Sequence, residues 1–372
     1  MTCQQLGETD IMTDKIINLR KKLHENAEPS LMETNTKHIL MEFIRDNTNL
    51  EIIDCGMWFY AVYRAENGKK NIAFRADFDA VLCSDGKARH LCGHDGHSAC
   101  LAGFASEIEK TAPPVNVYFI FQPAEEIGKG AEMCCEIFRN CRIDEIYGFH
   151  NIPNYAENEI LLLKKTFACA STGMEITLTG KPSHAAYPEQ GVNPSAAISE
   201  IILYTNEYLK VQRRGIVLGT VIGADIGSSS YGVSADKGVL RLTLRAEYQE
   251  EYDNLIRAVS DFAEKTAEKE NLSCKIKLIE EFPATENHSE SVDKVRKTAE
   301  ILGLSVSYPT EPFRWSEDFG HYLKYTKGAF FGIGCGINHT GLHTENYVFN
   351  DNIIETAIRL FAEIAMTEGG KQ

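Results

Sequence analysis

Val115 to Phe121 is a nearly continuous apolar and β-branched stretch, and no other segment limits the fold as strongly. A run of that kind suits a strand buried on both faces, as in a parallel sheet covered by helices. Its surroundings agree. Strand-like runs at Met57 to Arg64, Asn71 to Arg75 and Asp144 to Phe149 alternate with helical patterns at Ile16 to Asn26, Thr34 to Asn47, Ser98 to Lys110 and Ala131 to Arg139. This alternation predicts the α/β class, with an α/β/α layered domain around a mostly parallel sheet.

The texture changes near Thr172. Met174 to Thr179 alternates, Asn193 to Lys210 is helical, and Ile216 to Ile222 and Val239 to Tyr248 look like strands. A long charged helix, Glu250 to Glu268, and a last strand, Cys274 to Ile279, complete the order β-α-β-β-α-β, a ferredoxin-like signature. The expectation is an inserted α+β domain at 173–282, flanked by two parts of the first domain at 14–172 and 283–372.

Chemistry concentrates in His90-Leu91-Cys92-Gly93-His94-Asp95-Gly96-His97, which packs three histidines and a cysteine into eight residues. Thiolate and imidazole are the ligands a borderline metal such as zinc prefers. Cys92 and His94 are two apart, so in a bend they can reach one ion or two adjacent ions. Asp77 follows one predicted strand, Glu125 and Glu126 a second, and His150 a third. In open α/β sheets, ligands bind in the crevice beyond the carboxyl ends of the strands. Sequence-distant groups therefore converge.

Bulk properties narrow the partners. A chain of 372 residues has length for two or three domains. Its formal charge of −15, from 38 basic and 53 acidic residues, argues against nucleic acid or an anionic membrane as partner. No stretch of apolar residues is long enough for a span. Met1 to Asp14 is polar and acidic, unlike a signal peptide, so a cytoplasmic enzyme is expected. The 11 cysteines show no framework spacing and read as reduced thiols.

Arg75-Ala76-Asp77-Phe78-Asp79-Ala80, the Cys92 segment, Phe121-Gln122-Pro123-Ala124-Glu125-Glu126, Tyr147-Gly148-Phe149-His150-Asn151, Gly180-Lys181-Pro182-Ser183-His184 and Gly341-Leu342-His343-Thr344-Glu345 occur in that order. Together they resemble the amidohydrolase branch of the co-catalytic zinc peptidases, with its hippuricases, N-acetyldiaminopimelate deacetylases and indoleacetyl-amino-acid hydrolases. The resemblance runs from about Leu19 to about Phe361. It implies two divalent ions held by Cys92, His94, Glu126, His150 and His343, with Cys92 bridging them. Zinc suits the thiolate best, and manganese, cobalt and nickel stay open.

The resemblance further implies that Glu125 is the general base for a metal-bridged water. It makes His184 a donor to the oxyanion, within its own subunit or across a homodimer built on the inserted lid domain. Asp77 orients a ligand or the Cys92 loop, and Asp79, Asp95 and His97 belong to the same supporting set, with His97 bonded within the loop. The role of His90 is open. Arg245, at the end of the strand Leu240 to Leu244, is the candidate for binding a substrate α-carboxylate. Ser316 could cap a helix, or Glu317 could face the site.

Two segments depart from the family pattern. Val81-Leu82-Cys83 replaces the usual Leu-Pro and is followed by a shortened Ser84 to Arg89, and Tyr231 to Asp236 replaces an Asn-Val-Ile-Pro run. The reading is therefore a metal-dependent amidohydrolase acting on a small N-acyl amino acid or peptide-like substrate. Its rivals are a dipeptidase or aminopeptidase on the same scaffold, using Glu317 or Asp318 for a free amine, and a non-catalytic metal-binding homologue.

Overall fold

A computed structural model describes residues 3–367 of the chain, with side chains from residue 13 onward. The stretch Met1 to Asp14 thus lies partly outside the described residues, as do the last five residues of the predicted 283–372 segment. Two compact units form. The first takes in Met1–Phe167, Thr285–Glu311 and Asp318–Gln372, and the second Ala168–Ala284 and Pro312–Glu317.

The first unit begins with helices α1 (Cys3–Glu25) and α2 (Thr34–Asn47) and strands β1 (Glu51–Asp54), β2 (Phe59–Tyr63) and β3 (Asn71–Asp77). A short hairpin follows, β4 (Val81–Leu82) with β5 (Ala88–Arg89). Next come α3 (His94–Thr111), β6 (Asn116–Gln122), α4 (Gly130–Cys134), α5 (Ile137–Asn140), β7 (Glu145–Ile152) and β8 (Ile160–Leu161). In the second unit are β9 (Ala170–Thr179), β10 (Ser183–His184), α6 (Ser195–Lys210), β11 (Val217–Ile226), β12 (Val233–Ser234), β13 (Lys237–Ala246), α7 (Gln249–Lys269) and β14 (Ser273–Phe282). The first unit is completed by α8 (Ser289–Ile301), β15 (Val306–Ser307), α9 (Gly320–Leu323), β16 (Lys327–Gly334) and α10 (Ile354–Thr367).

An eight-stranded sheet of order β1-β2-β6-β3-β7-β16-β8-β15 organises the first unit. Its centre, β6, β3, β7 and β16, is parallel, as the apolar runs required. Every residue of β7 is buried, and so are all of β3 and β6 but their first. Phe74 of β3 packs against Phe104 of α3 and Phe361 of α10, with ring centroids 5.1 and 4.8 Å away. Each such ring, fully removed from water, contributes roughly 1.5–3 kcal/mol. These contacts pack α3 and α10 against β3 of the sheet.

The second unit has a four-stranded antiparallel sheet of order β11-β13-β9-β14. In chain order its main elements read β-α-β-β-α-β. Met174, Ile176 and Leu178 alternate along β9 and meet Ile198 and Ile201 of α6 and Leu255 and Val259 of α7 in one core. That is the pattern of a sheet with one face covered by helices. Residues 312–317 join this unit, since the Cys169 N–H donates to the Phe313 carbonyl at 3.0 Å.

Three local expectations need correction. The helix expected at Ser98 starts at His94, because the polar first turn is buried against acidic acceptors. Ala131 to Arg139 is two short helices, α4 and α5, with Cys135 and Glu136 between them. His150 lies inside β7 and not after it.

Candidate metal centre

The centre forms where β3, β6 and β7 reach their carboxyl ends, and each donor is aimed by a local backbone device. Cys92 sits in the loop before α3. Gly93 follows with φ +95°, and a Cβ there would lie 2.4 Å from Asn151 Oδ1 and 2.7 Å from the Tyr347 hydroxyl. Only glycine fits this left-handed close approach. It lets α3 start abruptly at His94, so that His94 and His97, three apart, share one helix face.

His94 is fixed through one nitrogen. Its Nδ1 lies 3.0 Å from Asp79 Oδ1, an acceptor, so Nδ1 carries the proton. Nε2 then looks into the cluster, 3.8 Å from Asp77 Oδ2, Glu125 Oε2 and Glu126 Oε1. Both His94 Nε2 and Glu126 Oε1 are buried without a hydrogen-bond partner among the described residues. Buried polar atoms are almost always satisfied, so two such orphans facing each other mark a place for a cation. The residues present fit one.

Four further observations agree. Cys92 Sγ is 3.4 Å from His150 Nε2, whose Nδ1 is occupied by the Asn151 carbonyl at 2.9 Å. His343 Nε2 is 3.5 Å from Glu126 Oε2, and the His343 backbone, at φ +60°, is tied by its N–H to the Leu91 carbonyl at 2.8 Å. Ligating atoms of Cys92, His94 and His150 lie within 4.8 Å of one another, and those of Cys92, Glu126 and His343 form a second such triad. The thiol belongs to both.

Electrostatics in the metal-free protein follow from burial. Desolvation, with the Glu126 carboxylate beside it, pushes the Cys92 thiol well up. Desolvation pushes Glu126 up to about 7 and His150 well down, leaving that imidazole neutral. For His94 burial pulls the other way, yet Asp77 and Cys92 raise it well above the ordinary imidazole value. A divalent ion bound here would favour the Cys92 thiolate, the Glu126 carboxylate and a neutral His94, and His150 is already neutral.

A tight turn after β6 brings both carboxylates of the Glu125–Glu126 pair to 3.8 Å from His94 Nε2. Ala124 takes a left-handed φ of +52°, and its carbonyl accepts from the Lys129 and Gly130 N–H groups at 3.1 and 3.0 Å. The Glu126 N–H donates to Asp79 Oδ2 at 3.0 Å. Asp79 therefore serves His94 and Glu126 together, with a third donor in Ser30 Oγ at 2.7 Å.

Asp77, the last residue of β3, holds His97 Nδ1 at 2.7 Å and Arg75 Nη1 at 2.8 Å. Burial would raise its carboxyl, but His94, Arg75 and His97 hold it well below the usual range. His97 Nε2 lies 2.6 Å from Asn151 Oδ1, and Asn151 Nδ2 donates to the Tyr347 hydroxyl at 2.5 Å. Both ring nitrogens of His97 are thus engaged, as expected of a residue that supports the site through Asp77. His97 makes these bonds from helix α3, not from a loop. Asp95 binds His24 Nδ1 at 2.8 Å. His90 is buried with neither ring nitrogen paired among the described residues, and desolvation lowers it to about 4.

In the second unit, His184 stands on β10 opposite Val233 and accepts the Ala186 N–H on Nδ1 at 3.1 Å. The atypical segment Tyr231 to Asp236 thus supplies β12, the partner strand of the His184 loop. Arg245 lies within β13, and its Nη1 donates to the Arg314 carbonyl at 2.6 Å and to Ser316 Oγ at 2.9 Å. Ser316 is engaged there and caps no helix, since α9 begins only at Gly320. Asp318 is consumed by Arg75, Gln122 and the Ala131 N–H. Sequence reasoning missed Ser30, Glu33 and Tyr347, which reach the centre from afar and carry no local motif.

The sequence profile of Peptidase family M20/M25/M40 matches residues 73–367. An uncharacterised hydrolase of Staphylococcus haemolyticus is 26% identical over 374 residues, covering 94% of this chain and 97% of that protein. One from Staphylococcus aureus strain USA300 is 26% identical over 369 residues, covering 93% and 96%. Among solved structures, a dinuclear metal-binding peptidase of the M20 family from Bacillus subtilis superposes with a TM-score of 0.82 at 24% identity, covering 96% and 99%. A putative aminohydrolase from methicillin-resistant Staphylococcus aureus gives 0.86 at 21% identity, covering 99% of both chains.

Proposed function

The chain belongs to peptidase family M20/M25/M40 and is a metal-dependent hydrolase, and from that premise we propose that it cleaves the amide bond of N-acyl amino acids or related small amides, releasing a free acid and an amine. The observation that carries this reading is the pair of orphaned, buried donors, His94 Nε2 and Glu126 Oε1, inside two triads that share Cys92. In this reading Cys92, His94, Glu126, His150 and His343 hold two divalent ions, zinc first among them. Bound there, such ions supply Lewis-acid polarisation of an acyl carbonyl and acidification of water.

The chain's own groups do the rest. Glu125, buried and 3.8 Å from His94 Nε2 through Oε2, takes a proton from the attacking water and returns it to the leaving amine. His184 accepts an N–H on Nδ1, so its Nε2 carries the proton and is the donor for the developing oxyanion. Arg245 offers its remaining N–H groups to a substrate carboxylate. The inserted segment 173–282, which falls within the second unit, acts in this reading as lid and homodimer module. A cytoplasmic setting suits a metal-binding thiolate beside the unpaired cysteines of the described residues.

The dipeptidase reading loses one support, because both Asp318 oxygens are committed within the protein and cannot receive a substrate ammonium. The test is amine release from a panel of N-acyl amino acids and matching free dipeptides, using metal-stripped protein resupplied with zinc, manganese or cobalt. Metal-restored turnover of the acylated compounds is expected. Turnover confined to free dipeptides, or silence with metal bound, would overturn the proposal.

A further inference from the structure

Glu33 is an acid in an unusual place. It occupies the N-cap position of α2, yet its side chain makes no capping bond to that helix. An acidic N-cap ordinarily accepts from the first turn of its own helix. Here Glu28 does that work instead, taking the Asn35 N–H on Oε1 at 3.2 Å and the Thr36 N–H on Oε2 at 2.8 Å. Glu33 turns inward, is 1% exposed, and accepts the Ala124 N–H on Oε1 at 2.8 Å, 91 residues along the chain. Its Oε2 has no partner among the described residues, and burial followed by the Asp79 charge pushes the carboxyl up to about 7.

Burying an incompletely paired carboxyl is costly, and the α2 cap does not need it. What it holds is Ala124, the left-handed residue directly before Glu125 and Glu126. An alanine in that region is strained, and without an acceptor for its N–H the turn is free to relax toward the right-handed region. Relaxation would rotate both carboxylates. Ser30, from the same α1–α2 connection, fixes Asp79, which receives the Glu126 N–H. The connection therefore grips the turn at both ends.

We infer that Glu33 is a positioning residue that locks the Ala124 turn and so sets the Glu125 and Glu126 carboxylates for metal binding and proton transfer. This rests on the reading of Glu126 as a ligand. The test compares Glu33→Gln, Glu33→Ala and the double variant Glu33→Ala with Ala124→Gly. Zinc affinity is read by competition with a chromogenic chelator, without substrate, and kcat and KM separately.

Glu33→Ala should weaken zinc binding about tenfold or more and lower kcat with KM little changed, as expected for an orphaned buried N–H and a loosened ligand. Glu33→Gln, which keeps an acceptor in place, should lose less. In the double variant glycine adopts the left-handed conformation freely, so much of the zinc affinity should return. Unchanged zinc affinity in Glu33→Ala overturns the inference, as does a loss that glycine does not repair, the behaviour of a residue that merely supports the fold. A protein silent on every acyl substrate but with this affinity pattern would sink the proposed reaction and leave the Glu33 assignment standing.

Discussion

Replacing Asp79 with asparagine isolates the effect of a supporting carboxylate on the proposed ligand His94. Asp79 is wholly buried and accepts three donors: His94 Nδ1 at 3.0 Å, Ser30 Oγ at 2.7 Å and the Glu126 N–H at 3.0 Å. Asparagine has the same shape but only one accepting oxygen and an NH₂. If its oxygen stays with Ser30 and Glu126, the NH₂ faces His94 Nδ1, which must then give up its proton to Nε2. The donor atom for the ion is lost. If the oxygen instead faces His94, the NH₂ meets the Glu126 N–H and the turn carrying Glu126 is pushed away.

Either arrangement sacrifices one hydrogen bond to a charged group, about 1.5–3 kcal/mol. That corresponds to about a 10–150-fold loss of zinc affinity, close to the roughly 10–100-fold typical of residues that orient metal ligands. Ser30→Ala removes one donor and leaves the carboxylate, so it should cost far less. The assay is zinc competition against a chromogenic chelator, on stripped protein whose melting temperature has been checked. Asp79→Asn binding zinc within about twofold of the unaltered protein would refute the argument that His94 depends on this carboxylate.

Other perturbations test separate parts of the reading. Glu125→Gln should keep its metal complement while kcat falls by about 10²–10⁴, and a loss of only a few-fold would remove Glu125 as the base. Cys92→Ser should abolish the thiolate-to-metal charge-transfer absorption of the cobalt-loaded protein, whereas a surviving band would place the thiolate elsewhere. His24 is raised by its bond to Asp95, so its contribution to stability is complete below the ordinary imidazole value of 6.5 and disappears as pH rises through the higher folded value. The melting temperature of stripped His24→Gln should therefore trail that of the unaltered protein more at about pH 5.5 than at about pH 9. Gly130→Ala would set a Cβ 1.7 Å from the Pro123 carbonyl oxygen, a clash with backbone that should lower the melting temperature by about 5 °C or more.

Much of the first unit was legible because its strands are chemically unambiguous. Val115 to Phe121 and Asn71 to Arg75 are apolar on both faces, and a central parallel strand is the one setting that asks for this. What escaped were elements whose cause lies elsewhere in the chain. The first turn of α3 looks like a polar loop, yet Asp79 meets His94, Asp77 meets His97, and both His24 and Arg20 meet Asp95. Two-residue strands such as β8 and β15 have no periodicity to detect. Glu33 reads as an ordinary helix cap until Glu28 is seen to have taken that role.

The same division explains where specificity should reside. The proposed metal ligands come from compact motifs, and their supports from single residues spread over the first unit, an arrangement that leaves both little freedom to vary with substrate. The two departures from the family pattern are different, since each forms a short paired strand. Asp85 folds the 81–89 segment by accepting the Lys87 N–H and pairing with Arg89, making β4 and β5. Ala88 and Arg89 then wall a recess of about 370 Å³ with His24, His90 and Glu345 to Val348, so the shortened segment shapes a cavity beside the Cys92 loop. Tyr231 to Asp236 likewise became the pairing partner of His184, with Tyr231 fully exposed beside it. If the proposed roles hold, the strand that pairs with the His184 loop and the hairpin that walls this recess are the two places where acyl and amine preference would be set, because neither contains one of the five proposed metal ligands.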